Sequence, residues 1–195
     1  MNFITSIKDF DTQLFLFLNS KHNEFFDFIM YWASTRFIWI PLYLLFFFLA
    51  FKQVGPRIWL VAAAAILLIL LSDQLSVHAF KNVFLRLRPC YEPLLEGKIH
   101  LTGACGGTYG FVSSHAANTF ALAMFLCLLF RSRIKYFGLF IFCWALFVSY
   151  SRIYNGVHYP ADVAVGAVLG MGVGAAVFKL YQFANFRMDQ KSKQK

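Results

Sequence analysis

Residues 151–162 read SRIYNGVHYPAD and set Arg152, His158 and Asp162 in a gap between two apolar segments. A carboxylate near a histidine fixes its tautomer and favours its protonated form. The plain alternative for Asp162 is a simple helix N-cap; Pro160 fits the first turn of the helix that follows. Upstream, "KNVFLRLRP" carries Lys81 and Arg88, and "YGFVSSHAAN" carries Ser113, Ser114 and His115. Both serines are N-cap types, and the free amides of a helix N-terminus make an anion site. Taken singly, Lys81 and Arg88 read as snorkelling cations and His115 as a structural hydrogen bonder. Together, two histidines, an aspartate, three cations and a helix N-terminus point to a tetrahedral anion. Three cations would repel a metal ion, so neither a metal nor a cofactor is expected.

Only the elements between these sets can bring them together. The chain has 195 residues, 59% hydrophobic and 14% charged, with 25 phenylalanines. A soluble domain carries about 25% charged residues, whereas a membrane helix needs roughly 20 mostly apolar ones. Candidate spans are Phe37–Phe51, Ile58–Phe80, Ala116–Phe130, Ile134–Tyr150 and Ala161–Leu180; the first could extend back towards Phe25 across Ser34, Thr35 and Arg36. The expected fold is an all-α polytopic bundle of five to six transmembrane helices, preceded by an N-terminal interfacial helical segment. Residues 1–35 form that segment, 36–188 the membrane domain and 189–195 a polar, frayed tail. Phe3, Ile4, Ile7, Phe10, Leu14, Phe17 and Leu18 recur on a helical period among Lys8, Asp9 and Asp11, which suits a helix lying in the interface. The run Leu14–Leu18 is too short for a signal peptide.

The net charge of +9 reads as a topology marker, so no nucleic-acid partner is expected. Lys52 and Arg57, then Arg131, Arg133 and Lys135, then Lys179, Arg187, Lys191, Lys193 and Lys195 cluster on one side of five crossings, the cytoplasmic side by the positive-inside rule. Segments 81–115 and 151–162 then share the outer face, separated by two crossings. Lys81 and Arg88, seven apart, fall on nearly one face of a helix. Pro89 disfavours helix before it, so that helix should end near Arg88 with Arg86 pointing elsewhere.

Lys81-x6-Arg88-Pro89, then Ser113-Ser114-His115, then Ser151-Arg152-x5-His158-x3-Asp162 resemble the three motifs of the type 2 phosphatidic acid phosphatases, membrane lipid phosphatases related to vanadium haloperoxidases. The first and third motifs match fully. In the second, Val112 and Ser114 stand where that family reads proline and glycine in Pro-Ser-Gly-His. The resemblance implies that His158 is the nucleophile, oriented by Asp162. It further implies that Lys81, Arg88 and Arg152 hold the phosphate with Ser113, Ser114 and nearby amides, and that His115 serves as acid and base. It implies a phosphorylated membrane lipid as partner, hydrolysed without metal at the periplasmic face of a bacterial inner membrane. Undecaprenyl diphosphate is the first expectation, because a short chain with little beyond the core site suits an undemanding isoprenoid tail. Lipid A is the runner-up, followed by phosphatidylglycerophosphate and phosphatidate. A haloperoxidase is disfavoured by the apolar spans, and a transporter would leave the charged gaps to coincidence.

Gly166, Gly170 and Gly174 at four-residue spacing allow close helix packing. Asp73, an acid inside a span, is expected to hydrogen-bond within the bundle beside Ser72, Gln74 and His78. Cys127 and Cys143 read as packing residues. Cys90 and Cys105 lie in the outer loop, where an oxidising compartment permits a disulfide; two free thiols are the alternative. Self-association is left open.

Overall fold

Proline, glycine and polar turns punctuate a chain that is otherwise helical. The computed structural model describes residues 3–131 and 133–193. Helices α1 (Phe3–Asn19) and α2 (Glu24–Ala33) precede α3 (Ile40–Val54) and α4 (Ile58–Gln74). A π-helical segment, Leu75–Lys81, and the one-turn α5 (Asn82–Phe84) prolong α4. After the outer loop come α6 (Ser114–Phe130), α7 (Phe137–Tyr154) and α8 (Pro160–Lys193). Among the described residues there is no strand, only a Leu87–Tyr109 bridge. Residues 194 and 195 of the expected tail, Lys195 among them, lie outside the described residues.

Segments Phe37–Phe84, Phe137–Tyr154 and Pro160–Lys191 are long and apolar enough to cross a membrane, and Ser114–Phe130 is a shorter apolar helix. The first segment holds two helices, because Gly55, at φ +57, and Pro56 turn the chain between α3 and α4. Phe47, Phe48, Ile66 and Leu70 stand exposed on these two helices, as lipid-facing side chains would. Inside the bundle Leu68, Phe125, Phe130, Ile141 and Val177 form a buried core. Gly166, Gly170 and Gly174 lie against the backbone of α6: a Cβ on them would strike the carbonyls of Ser113, Ala117 and Ala121. Only a stripe without side chains lets α8 approach this closely.

At the other end of the core, Phe15, Leu95, Ile153 and Tyr159 form a second buried cluster. It seats α1 on the outer loop and on the turn between α7 and α8. Asn19 fastens the contact: its Nδ2 donates to the carbonyls of Tyr154 (2.7 Å) and His100 (3.0 Å), and its Oδ1 accepts from the His100 N–H (2.7 Å). The opposite flank of α1 exposes Ile7, Phe10 and Phe17.

Three boundaries differ from the sequence expectation. The first membrane span does not reach back to Phe25, because α2 closes at Ala33 and the chain turns through Ser34–Arg36. The helix bearing Lys81 ends at Phe84, not near Arg88, because Leu85 takes a left-handed conformation (φ 47). Residues 86–88 then run extended. Arg88 N–H donates to the Thr108 carbonyl (3.1 Å) and Gly110 N–H to the Arg86 carbonyl (2.9 Å). Finally, α8 continues to Lys193: no glycine or proline interrupts 175–193, and Arg57 pairs with Asp189 (2.5 Å).

Candidate active site

The turn between α7 and α8 builds the centre of the site. The Arg152 carbonyl accepts from the N–H of Val157 (3.1 Å) and of His158 (3.3 Å), folding the chain back so that His158 points inward. Asp162 reaches back over the first turn of α8, its Oδ2 accepting from the Tyr159 N–H (3.0 Å) and lying 3.4 Å from His158 Nδ1. Asp162 is the third residue of α8 and so is not its N-cap; its carboxylate instead reaches back to the Tyr159 N–H and to the histidine. The Ser113 N–H donates to the Asp162 carbonyl (3.0 Å), which ties the start of α6 to the start of α8.

His158 is 1% exposed and Asp162 is fully buried. Gly110 covers them: a Cβ there would lie 3.1 Å from Arg88 Cγ, 3.2 Å from Asp162 Oδ2 and 3.5 Å from His158 Nδ1. Arg88 Nη1 stands 3.4 Å from His158 Nε2. Guanidinium has no acceptor, so Nε2 is the acceptor and the ring proton sits on Nδ1, towards Asp162. Burial first, and then the charges of Arg88, Arg152 and Lys81, hold the His158 imidazole well below its ordinary range. It is neutral at neutral pH, with its Nε2 lone pair directed at the cations. Burial also lowers the Arg88 guanidinium, with Asp162 opposing.

Each cation is fixed from a different element. Lys81 Nζ donates to Ser114 Oγ (2.7 Å), which is also 2.6 Å from Ser76 Oγ. Where the motif family reads glycine, this serine tethers the lysine. Arg152, in the last turn of α7, donates to Ser34 Oγ. The Nε atoms of Arg88 and Arg152 are buried without a partner. Buried donors are normally satisfied, and two orphaned guanidinium N–H groups beside a histidine are what an oxyanion would complete. Ser113 is the N-cap of α6, its Oγ accepting from the Ala116 N–H (3.4 Å). His115, in the first turn, lies near Ser34, Arg152 and His158. The donor set is cationic throughout and fits an anion rather than a metal ion.

His115, Ser114, Arg36 and Asp73 border a cavity of about 510 Å³ that continues among Phe46, Ala62, Leu122 and Trp144. Asp73 thus lines the cavity; beside it, Ser72 Oγ donates to Asn118 Oδ1, and Gln74 and His78 are exposed. In the outer loop, Cys90 and Cys105 face each other with Cα atoms 6.3 Å apart, within disulfide reach.

Four residues of the site were not singled out by sequence: Asp11, Ser34, Arg86 and Gly110. Arg86 does not point elsewhere. Its Nη1 donates to Asp162 Oδ1 (2.9 Å) and its Nη2 to Asp11 Oδ2 (2.7 Å). In an extended segment residues i and i+2 share a side, so once 86–88 is not helical both arginines reach the His158–Asp162 pair.

The model of the PAP2 superfamily matches residues 62–186, a span that holds every one of the motif residues. A lipid A 4'-phosphatase of Bacteroides thetaiotaomicron is 38% identical over 90% of this chain and 78% of its own. One from Porphyromonas gingivalis is 35% identical over 93% and 77%. An undecaprenyl-diphosphatase of Sulfolobus acidocaldarius is 31% identical over 83% and 73%. The fold is that of a PAP2-type phosphatidylglycerolphosphate phosphatase from Bacillus subtilis (TM-score 0.67, 18% identity, 93% of this chain and 87% of that one). The apolar helices and these relatives agree on one identity: the chain belongs to the PAP2 superfamily and is a multi-pass membrane lipid phosphatase, a hydrolase of phosphate esters.

Proposed function

We propose that this phosphatase removes a phosphate from lipid A, working at the periplasmic face of a bacterial inner membrane. What carries the substrate choice is the similarity to two lipid A 4'-phosphatases, at 38% and 35% identity over 90% or more of the chain. It replaces the sequence expectation of undecaprenyl diphosphate, which rested on the chain's shortness. That lipid remains the second reading, favoured by the 31% identity to an undecaprenyl-diphosphatase. Orientation follows the lysine and arginine clusters at 52–57, 131–135 and 179–195, which the positive-inside rule puts in the cytoplasm.

In the proposed reaction His158 Nε2 attacks phosphorus, and the bond to the lipid oxygen breaks as the N–P bond forms. His115 gives its proton to the departing oxygen. A water then loses a proton to His115 and attacks the phosphohistidine, releasing inorganic phosphate and restoring both histidines. Lys81, Arg88 and Arg152 spread the charge of the transferring group, with Ser113, Ser114 and the α6 amides beside them. Phosphoryl transfer depends mainly on such positioning and charge, and acid–base help of this kind is worth roughly 10²–10⁴-fold. The cavity beside His115 places apolar space on the leaving-group side, which suits a lipid.

The test is phosphate release by the detergent-purified protein from lipid A, undecaprenyl diphosphate, phosphatidylglycerophosphate and phosphatidate, compared by kcat/KM. The reading predicts the highest value for lipid A. A higher value for undecaprenyl diphosphate would replace it with the second reading.

A further inference from the structure

Arg86 fills an unspecified position of the first motif and Asp11 lies outside all three, yet they complete the surroundings of the His158–Asp162 pair. Arg86 joins two carboxylates: Nη1 to Asp162 Oδ1 at 2.9 Å and Nη2 to Asp11 Oδ2 at 2.7 Å. Its guanidinium carbon lies 3.9 Å from the centroid of the Tyr159 ring, packed face-on. The other oxygen of Asp11 accepts from the Ala161 N–H (2.9 Å), one of the free donors at the start of α8. Asp11, on α1, is thus a buried acceptor at the same helix turn that carries Asp162. All three charged groups are largely withdrawn from water: Asp11 is 6% exposed, Asp162 0%, and the Arg86 side chain 22%.

This arrangement divides the work of Asp162 between its two oxygens. Oδ1 is occupied by Arg86, which leaves Oδ2 for the Tyr159 N–H and His158 Nδ1. A carboxylate held by one oxygen alone could rotate about its last bond; held at both, it cannot. Without Arg86, two buried carboxylates would face each other unpaired, and one would take up a proton. A protonated or rotated Asp162 no longer holds the His158 proton on Nδ1. Asp11 moderates the same guanidinium: sharing Arg86 keeps it from drawing all of the Asp162 charge away from the histidine.

We propose that Arg86 and Asp11 are positioning residues for the nucleophile, so that the docked helix α1 is a working part of the active site. The inference rests on the reading of His158 as nucleophile and Asp162 as its orienting base. It predicts a larger effect on turnover than on phosphate binding, because Lys81 is held by Ser114 and Arg152 by Ser34, neither through Arg86.

The experiment measures kcat, KM and inhibition by inorganic phosphate for Arg86→Met, Arg86→Lys, Asp11→Asn and His158→Ala in the full-length protein, with thermal melting as the folding control. Arg86→Met should lose about 10²-fold in kcat, the penalty of a misplaced catalytic group, with KM and phosphate affinity within about threefold of wild type, while affinity for vanadate, a mimic of the transition state, falls with kcat. Arg86→Lys restores one of the two ion pairs and should recover part of that loss. Asp11→Asn keeps an oxygen for the Ala161 N–H and should lose kcat more mildly, again at unchanged phosphate affinity. Turnover near the wild-type rate in Arg86→Met, with His158→Ala inactive, would overturn the positioning role and leave the nucleophile intact. Parallel loss of kcat, phosphate affinity and melting temperature in both Arg86→Lys and Asp11→Asn would reduce the network to a structural one. Turnover retained by His158→Ala would remove the nucleophile reading, and this inference with it.

Discussion

Arg88 Nη1 and His158 Nε2 stand 3.4 Å apart although they come from the outer loop and from the α7–α8 turn. The contact assigns the tautomer: the arginine can only donate, so the histidine presents a lone pair at Nε2 and a proton at Nδ1.

Acid should silence the enzyme by protonating that lone pair. Burial and three cations depress the His158 pKa, so the acid limb of kcat/KM should lie below the ordinary histidine value of about 6.5. The sign for stability is the same. Unfolded His158 binds a proton near 6.5 while the folded one resists, so stability is lost as pH falls from that value towards the folded pKa. A pH–rate profile on a short-chain lipid phosphate checks this; an acid limb at or above 6.5 contradicts it.

Gly110 is packed tightly against the site. Gly110→Ala would press on Arg88 Cγ and Asp162 Oδ2, which must give by a few tenths of an ångström, and should lower the rate by less than the roughly 10²-fold that a 1 Å misplacement costs. The loop reaches Gly110 from outside the helical core, so melting temperature should fall little. Rate and melting curves measured on one preparation separate the two effects.

The proposed phosphate site is made of protein cations. Activity should therefore survive EDTA, and vanadate should inhibit competitively as a five-coordinate mimic of the transferring group. Loss of activity in chelator with recovery on adding magnesium would contradict the three-cation site.

Cys90 and Cys105 should be oxidised in the mature protein. The loop they close has a separation of 15 residues, for which the entropic gain is about 3 kcal/mol. It lies within the outer loop that joins Arg88 to His115, which contains five glycines from 97 to 110. Alkylation without reduction, followed by mass spectrometry, should leave both cysteines unlabelled, and Cys90→Ser should melt at lower temperature with unchanged lipid preference.

Much of this was legible from residue types and spacing. The apolar runs are helices, the glycines at 166, 170 and 174 are the α6–α8 contact, and the two charged gaps meet. What escaped depended on backbone conformation or on distant partners. Leu85 in a left-handed conformation is unusual for a branched residue, and without it the helix seemed free to run to Arg88, which turned Arg86 away. Asp11 looked like one polar residue among Lys8 and Asp9 on an amphipathic helix; its partner Arg86 lies 75 positions on. Ser34 sat inside a possible continuous span, and only the turn after α2 brings it to Arg152 and His115. His158 lies in a gap between two apolar runs, but Gly110 and the Arg152 carbonyl fold it inside.

The central claim is that phosphate passes through His158. It is tested most directly by trapping the intermediate in His115→Ala, which lacks the group that activates water. The variant is mixed with a lipid phosphate bearing a good leaving group, quenched in base and digested. Mass spectrometry should find the phosphoryl group on the peptide containing His158, and none in the His115→Ala/His158→Ala double variant. Phosphate on another residue, or full turnover with no phosphopeptide, would contradict the account.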